Sequence, residues 1–175
     1  MANLASTYRN LGRWKEAEQL EVQVLETRRR VLGEEHPDTL TSMGNLASTY
    51  RKLGRWKEAE QLEAQVLETT KRVLGEEHPH TLTSMANLAS TYRKQRRWKE
   101  AEQLEVQVLE TKKKVLGEEH PEMLTSMNNL AHTLKSQGKD DKAISLMENA
   151  VDLCIKQLGP THPDTIDSTD TLNIW

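Results

Sequence analysis

Cysteine occurs once in the 175 residues, as Cys154, so no internal disulfide is available and the fold must hold without covalent staples or an oxidising compartment. Its setting in AVDLCIKQL reads as a packed helix face rather than a reactive thiol. No apolar run approaches the roughly 18 residues that span a bilayer. MANLASTYRN also lacks the charged-then-apolar layout of a secretory signal, so the expected setting is the cytoplasm, away from membranes. Charge of one sign is lacking too: Lys+Arg 24 against Asp+Glu 27 leaves a net charge of -3, which gives no reason to expect nucleic-acid binding driven by bulk charge. The motifs that carry chemistry are missing as well. The 8 glycines form neither GxGxxG nor GxxxxGK[ST], no HExxH or CxxC accompanies the 6 histidines, and no serine sits in a nucleophile elbow. GEEHP sets Glu34, Glu35 and His36 side by side, but neighbours on a turn rarely converge on one ion. These absences argue against an enzyme, a bound cofactor and a metal site.

What the sequence does have is repetition. His-Pro pairs begin at His36, His78, His120 and His162, a spacing of 42 residues, and Trp14, Trp56 and Trp98 keep the same period. Within one unit Leu40, Met43, Leu46, Ala47, Tyr50 and Leu53 recur at steps of three and four, the spacing of one helix face. Pro37 suits the first turn of that helix, Asp38 faces its positive end, His36 is placed to organise the cap, and Gly54 closes it. A second periodic run, Trp56, Ala59, Leu62, Val66, Leu67, Val73 and Leu74, ends at Gly75. The spacing predicts helices over 2–11, 14–32, 38–53, 56–74, 80–95, 98–116, 121–137, 140–158 and 163–173. Short connections make each pair antiparallel, and each amphipathic hairpin leaves an apolar flank that only a neighbour can cover. The expectation is an all-α solenoid in one array over 1–175: a partial repeat 1–35, repeats 36–77, 78–119 and 120–161, and a terminal half-repeat 162–175.

The run Leu46, Ala47, Tyr50, Gly54, Trp56, Ala59 resembles the tetratricopeptide repeat (TPR) signature of large, small, aromatic, glycine, aromatic and alanine. The usual unit is about 34 residues, so this one carries about two extra helical turns. With GEEHPDT, it is similar to the kinesin-light-chain type of repeat, and near-identical copies resemble arrays attached to signalling NTPases of fungi and bacteria. The resemblance implies a right-handed α-solenoid whose first helices line a concave groove, and a protein-binding role. Carried over by motif, the groove positions are Asn3, Ser6 and Arg9 in the partial repeat, and Thr41, Asn45, Ser48, Arg51 and Lys52 in the next. Thr83, Asn87, Ser90, Arg93 and Lys94 follow, then Thr125, Asn129, His132 and Lys135.

Amides can bond an extended peptide backbone and guanidinium forks favour carboxylates, so the expected ligand is an extended, acidic or C-terminal segment of a protein partner. The Asn column could instead satisfy groups between repeats. The different-class alternative is a structural spacer, or an array self-associating end to end through its terminal helices, where Leu172, Ile174 and Trp175 offer apolar surface. Two departures from the pattern stand out. Arg96 replaces the glycine found at Gly12, Gly54 and Gly138, and Glu21, Glu63 and Glu105 occupy a column where the family often has an aromatic. That glutamate column is either a solvated face or a set of partners for arginines on adjacent helices.

Overall fold

The computed structural model describes residues 1–175 as nine helices with no strand: α1 (Ala2–Asn10), α2 (Trp14–Leu32), α3 (Pro37–Lys52), α4 (Trp56–Leu74), α5 (Pro79–Lys94), α6 (Trp98–Leu116), α7 (Glu122–Ser136), α8 (Asp140–Leu158) and α9 (Pro163–Ile174). The periodicity of the apolar residues places every one of these within a residue or so at each end. No helix is long and apolar enough to cross a membrane.

The repeated HP dipeptide is a helix-starting device. Nδ1 of His36 accepts the backbone N–H of Asp38 at 3.1 Å, and His78, His120 and His162 accept from His80, Glu122 and Asp164 at 3.1, 3.2 and 3.3 Å. One orphan donor at each helix start is thereby satisfied. At the other end of α3 the chain closes with two bonds, Gly54 N–H to the Arg51 carbonyl at 3.2 Å and Arg55 N–H to the Tyr50 carbonyl at 2.9 Å, around Gly54 at φ 76°. Arg96, at the matching position, is held at φ 61°, the left-handed conformation without glycine's exemption. The second helices stop differently: Gly75 sits at φ 92° and ψ 164°, a region that side chains exclude.

Packing divides the chain into two compact units, residues 1–95 and 96–175. In the first, α1 packs on α2, α2 on α3, α3 on α4 and α4 on α5. Leu40, Met43 and Leu46 of α3 bury against Leu25 of α2 and Val66 of α4, with Val22, Tyr50 and Leu62 at the margin. A helix is thus covered by its own partner and by the preceding repeat. In the second unit α6, α7, α8 and α9 follow the same order. Leu130 and Leu134 of α7 and Ala143 of α8 meet Val106 and Leu109 of α6 there. Ala47 and Ala59, fully buried, let helices cross closely, as do Ala89, Ala101 and Ala131 in the other repeats.

Not every residue of the apolar period is buried. Val73 and Leu74, in the last turn of α4, are 50% and 42% exposed, and Val31, Leu32, Val115 and Leu116 share that exposure. Trp56, 38% exposed, lies at the first position of α4, and beside the turn Arg55 stacks over the Tyr50 ring at 4.3 Å.

Replacing Arg96 with glycine removes the left-handed strain, worth about 1 kcal/mol, and should raise the melting temperature by about 2–4 °C. Calorimetry of the variant beside the parent tests this; an unchanged or lower value would mean that the cap stores no strain.

Candidate functional site

In the first unit the first helices of successive repeats are tied to one another by their arginines. Arg9 of α1 donates through Nη1 to Asn45 Oδ1 of α3 at 3.0 Å, and Arg51 of α3 donates through Nη1 to the Asn87 carbonyl of α5 at 3.2 Å. Behind them lies the glutamate column. Glu21, Glu63 and Glu105 are only 5%, 3% and 5% exposed, so the solvated reading of this column does not hold. Glu21 stands 3.3 Å from Arg9 and Glu63 stands 3.5 Å from Arg51, while Glu63 also accepts the Thr91 hydroxyl of α5 at 2.5 Å. One buried carboxylate therefore holds three helices, α3, α4 and α5. Burial pushes the Glu63 carboxyl up to about 7, against the opposing pull of Thr91 and Arg51, and nearby Glu60 adds to the rise. Glu21 is raised in the same way, opposed by Thr49 and Arg9. Desolvation wins because the guanidinium stands off at more than 3 Å and is itself partly hydrated.

The sequence-derived groove residues fall into two groups. Asn3, Thr41, Lys52, Thr83, Lys94, Thr125 and His132 are exposed; Ser6, Arg9, Asn45, Ser48, Arg51, Asn87, Ser90, Arg93, Asn129 and Lys135 are half-buried. The half-buried group includes Arg9 and Arg51, whose bonds between repeats leave about a quarter and a fifth of each side chain exposed, 24% and 19%. In the second unit Lys135 donates to the Trp175 carbonyl at 3.1 Å, and His132 meets the Trp175 ring edge-on at 5.1 Å.

Five of the expected residues, Asn3, Ser6, Arg9, Thr41 and Asn45, converge on a cleft of about 220 Å³ between α1, α2 and α3. Arg28 of α2 lines the same cleft and was missed, because the motif assigns the groove to first helices only. A signal existed: the 42-residue register sets Thr70, Lys112 and Cys154 in its column, an unusual break among such uniform repeats. A larger hollow of about 660 Å³, lined by Lys15, Glu18, Val22, Leu53 and Arg55, contains none of the expected residues.

Family profiles described as tetratricopeptide repeat match residues 1–72, 81–122 and 123–164. Among solved structures, two of nearly identical TPR-like repeats from Podosopora anserina, described as kinesin light chain, align at 34% identity with TM-scores of 0.88 and 0.87, covering 98% of this chain and 81% of theirs. BtubC (BKLC) from P. vanneervenii aligns at 25% identity and TM-score 0.84 over 98% of this chain and 68% of that one. A search of curated protein sequences finds no match.

The buried column has a consequence for stability. Native Glu63 binds its proton more tightly than the unfolded chain does, so its contribution is complete below the ordinary carboxylate value of 4.5 and is lost as pH rises through about 7. Glu16, Glu35 and Glu58, held below the ordinary value by hydrogen bonds from Arg13, Arg72 and Arg55, act oppositely but only as pH falls below that range. Stability should therefore fall by on the order of 2 kcal/mol between pH 5 and pH 8, and the melting temperature with it. Glu63→Gln should flatten this slope; a parental slope in the variant would place the titration elsewhere.

Proposed function

The chain belongs to the tetratricopeptide-repeat family, a non-catalytic protein-interaction fold of the all-α solenoid class, and from that premise we propose that it is a non-enzymatic scaffold whose first-helix face binds an extended, acidic segment of a protein partner. The observation that carries this reading is the segregation of charge between the two helices of a repeat. Beyond their first turns, α1, α3, α5 and α7 contain no acidic residue, while their last turns hold Arg9, Arg51, Lys52, Arg93, Lys94 and Lys135. The second helices take the carboxylates, as Glu16, Glu18, Glu21 and Glu26 do in α2 beside the cations Lys15, Arg28, Arg29 and Arg30; the terminal first helix α9 departs from the pattern with Asp167 and Asp170.

A face made of hydroxyls, amides and cations suits a ligand that is extended, so that its backbone stays available, and negative. Within the first unit the division of labour is physical. Arg9 and Arg51 hold neighbouring repeats together, and the exposed Lys52 and Lys94 at the ends of α3 and α5 are the cations left to meet a partner, although Lys52 also lies over the Trp14 ring at 5.8 Å. Nearer the helix starts the exposed Thr41 and Thr83 hydroxyls donate to the Pro37 and Pro79 carbonyls and keep their oxygens as acceptors. A cytoplasmic setting is part of the proposal, since one buried cysteine asks nothing of an oxidising compartment.

Fluorescence anisotropy with a pool of Glu-rich twelve-residue peptides, and a matched pool in which every Glu is Gln, tests the reading. The Glu pool should bind more tightly, and its affinity should fall as salt rises, because the contacts lie at the surface. Lys52→Ser combined with Lys94→Ser should weaken it about tenfold, equivalent to about 1.4 kcal/mol. Equal binding of the two pools would remove the acidic preference, and no binding of either would remove the peptide-groove function.

A further inference from the structure

Near-identical repeats give a binding face a problem of registration: an extended segment that satisfies one 42-residue unit satisfies the next equally well. Something must break the symmetry if a partner is to be held in one place. Within the first unit α2 and α4 differ at only three positions, Val22 against Ala64, Arg28 against Thr70 and Arg29 against Lys71, and only the second of these changes charge.

Arg28 also differs from the other arginines of this face in what it touches. Arg9 has Glu21 at 3.3 Å and Arg51 has Glu63 at 3.5 Å, but Arg28 has no carboxylate within ion-pair distance. Its Nη1 donates to the Asp38 carbonyl at 2.9 Å and to Ser42 Oγ at 2.7 Å, which fixes the guanidinium in place. Nε and Nη2, the edge that grips a carboxylate with two parallel bonds, carry no hydrogen bond. The side chain is half-buried, so its charge is only partly hydrated. The cleft it lines, about 220 Å³, has room for roughly seven waters, enough for a carboxylate and its methylenes; Ser6, Arg9 and Asn45 add donors to the walls, and the one carboxyl among them, Glu21, is pushed by burial toward its neutral form. At the equivalent place in α4, Thr70 is buried and spends its hydroxyl on the Leu67 carbonyl at 3.1 Å.

We propose that Arg28 is the register-setting anchor of the first-helix face: in the cleft between α1, α2 and α3 it takes the side-chain carboxylate of one Asp or Glu of the bound segment, and Thr70 offers the same segment no second anchor. This rests on the peptide-groove reading above and assigns to it a residue on a second helix. The anchor selects position, whereas Lys52 and Lys94 supply general attraction.

Two probes test it. N-acetylglutamate amide, titrated while the Arg28 Nε–Hε resonance is followed, should move that resonance, and N-acetylglutamine amide should not. With the Glu-rich pool, Arg28→Thr should weaken binding about tenfold, while Arg30→Thr, the same charge change on an exposed side chain of α2, should leave it within twofold. Thr70→Arg in the Arg28→Thr background should restore part of the affinity, shifted by one repeat when read by crosslinking from a labelled peptide end. Circular dichroism checks that each variant folds; Arg28→Thr installs the residue that α4 already accommodates. If Arg28→Thr binds like the parent while Lys52→Ser with Lys94→Ser weakens binding, the anchor is wrong and the groove stands. If neither pool binds the parent protein, both fall together.

Discussion

A two-helix hairpin of about 40 residues is too small to bury both sides of its own apolar surface, and this constraint underlies the packing of both units. Leu40, Met43 and Leu46 of α3 lie between Val66 of the helix that follows and Leu25 of the helix that precedes. The core is therefore shared by consecutive helices, which is why nearly the same 42 residues can be used again: each copy supplies the cover that the previous one lacks. Full burial of small alanines where helices cross sets how closely they approach, and the His-Pro start and glycine stop set where each helix begins and ends.

Apolar burial alone leaves the angular setting of one hairpin on the next loosely defined, because methyl groups tolerate sliding better than hydrogen bonds do. The buried glutamates supply directional contacts. Glu63 reaches Arg51 in its own repeat and Thr91 in the next, and Arg51 continues to the Asn87 carbonyl. Taking a carboxylate out of water is costly, and its raised proton affinity measures that cost. What the arrangement returns is a fixed orientation of the first helices. Arg9 and Arg51 are in part consumed by this task, which leaves Lys52, Lys94 and Arg28 as the cations of this region without a carboxylate partner.

The helices and their boundaries were legible because each is marked twice, by a 3.6-residue apolar period and by capping residues whose conformations few other residues adopt. The placement of the groove on first helices came from the family resemblance. Less was legible where the outcome depends on what lies across from a residue. Val73 and Leu74 match the apolar period of α4 and yet are about half exposed, since periodicity says which residues share a face but not what lies across from them. Glu63 looked as much like surface as core for the same reason.

By itself, the sequence determined the two-helix repeat, its starts and stops and the strained cap at Arg96, because all of these arise from residues a few positions apart along the chain. Only the tertiary structure decided that the glutamate column is buried, that Arg9 and Arg51 are spent between repeats, and that Arg28 shares a cleft with Asn3 and Asn45. Those facts depend on which side chains meet across helices, 12 to 36 residues apart, and one residue's neighbours at that distance are set by the docking of whole helices rather than by its own spacing.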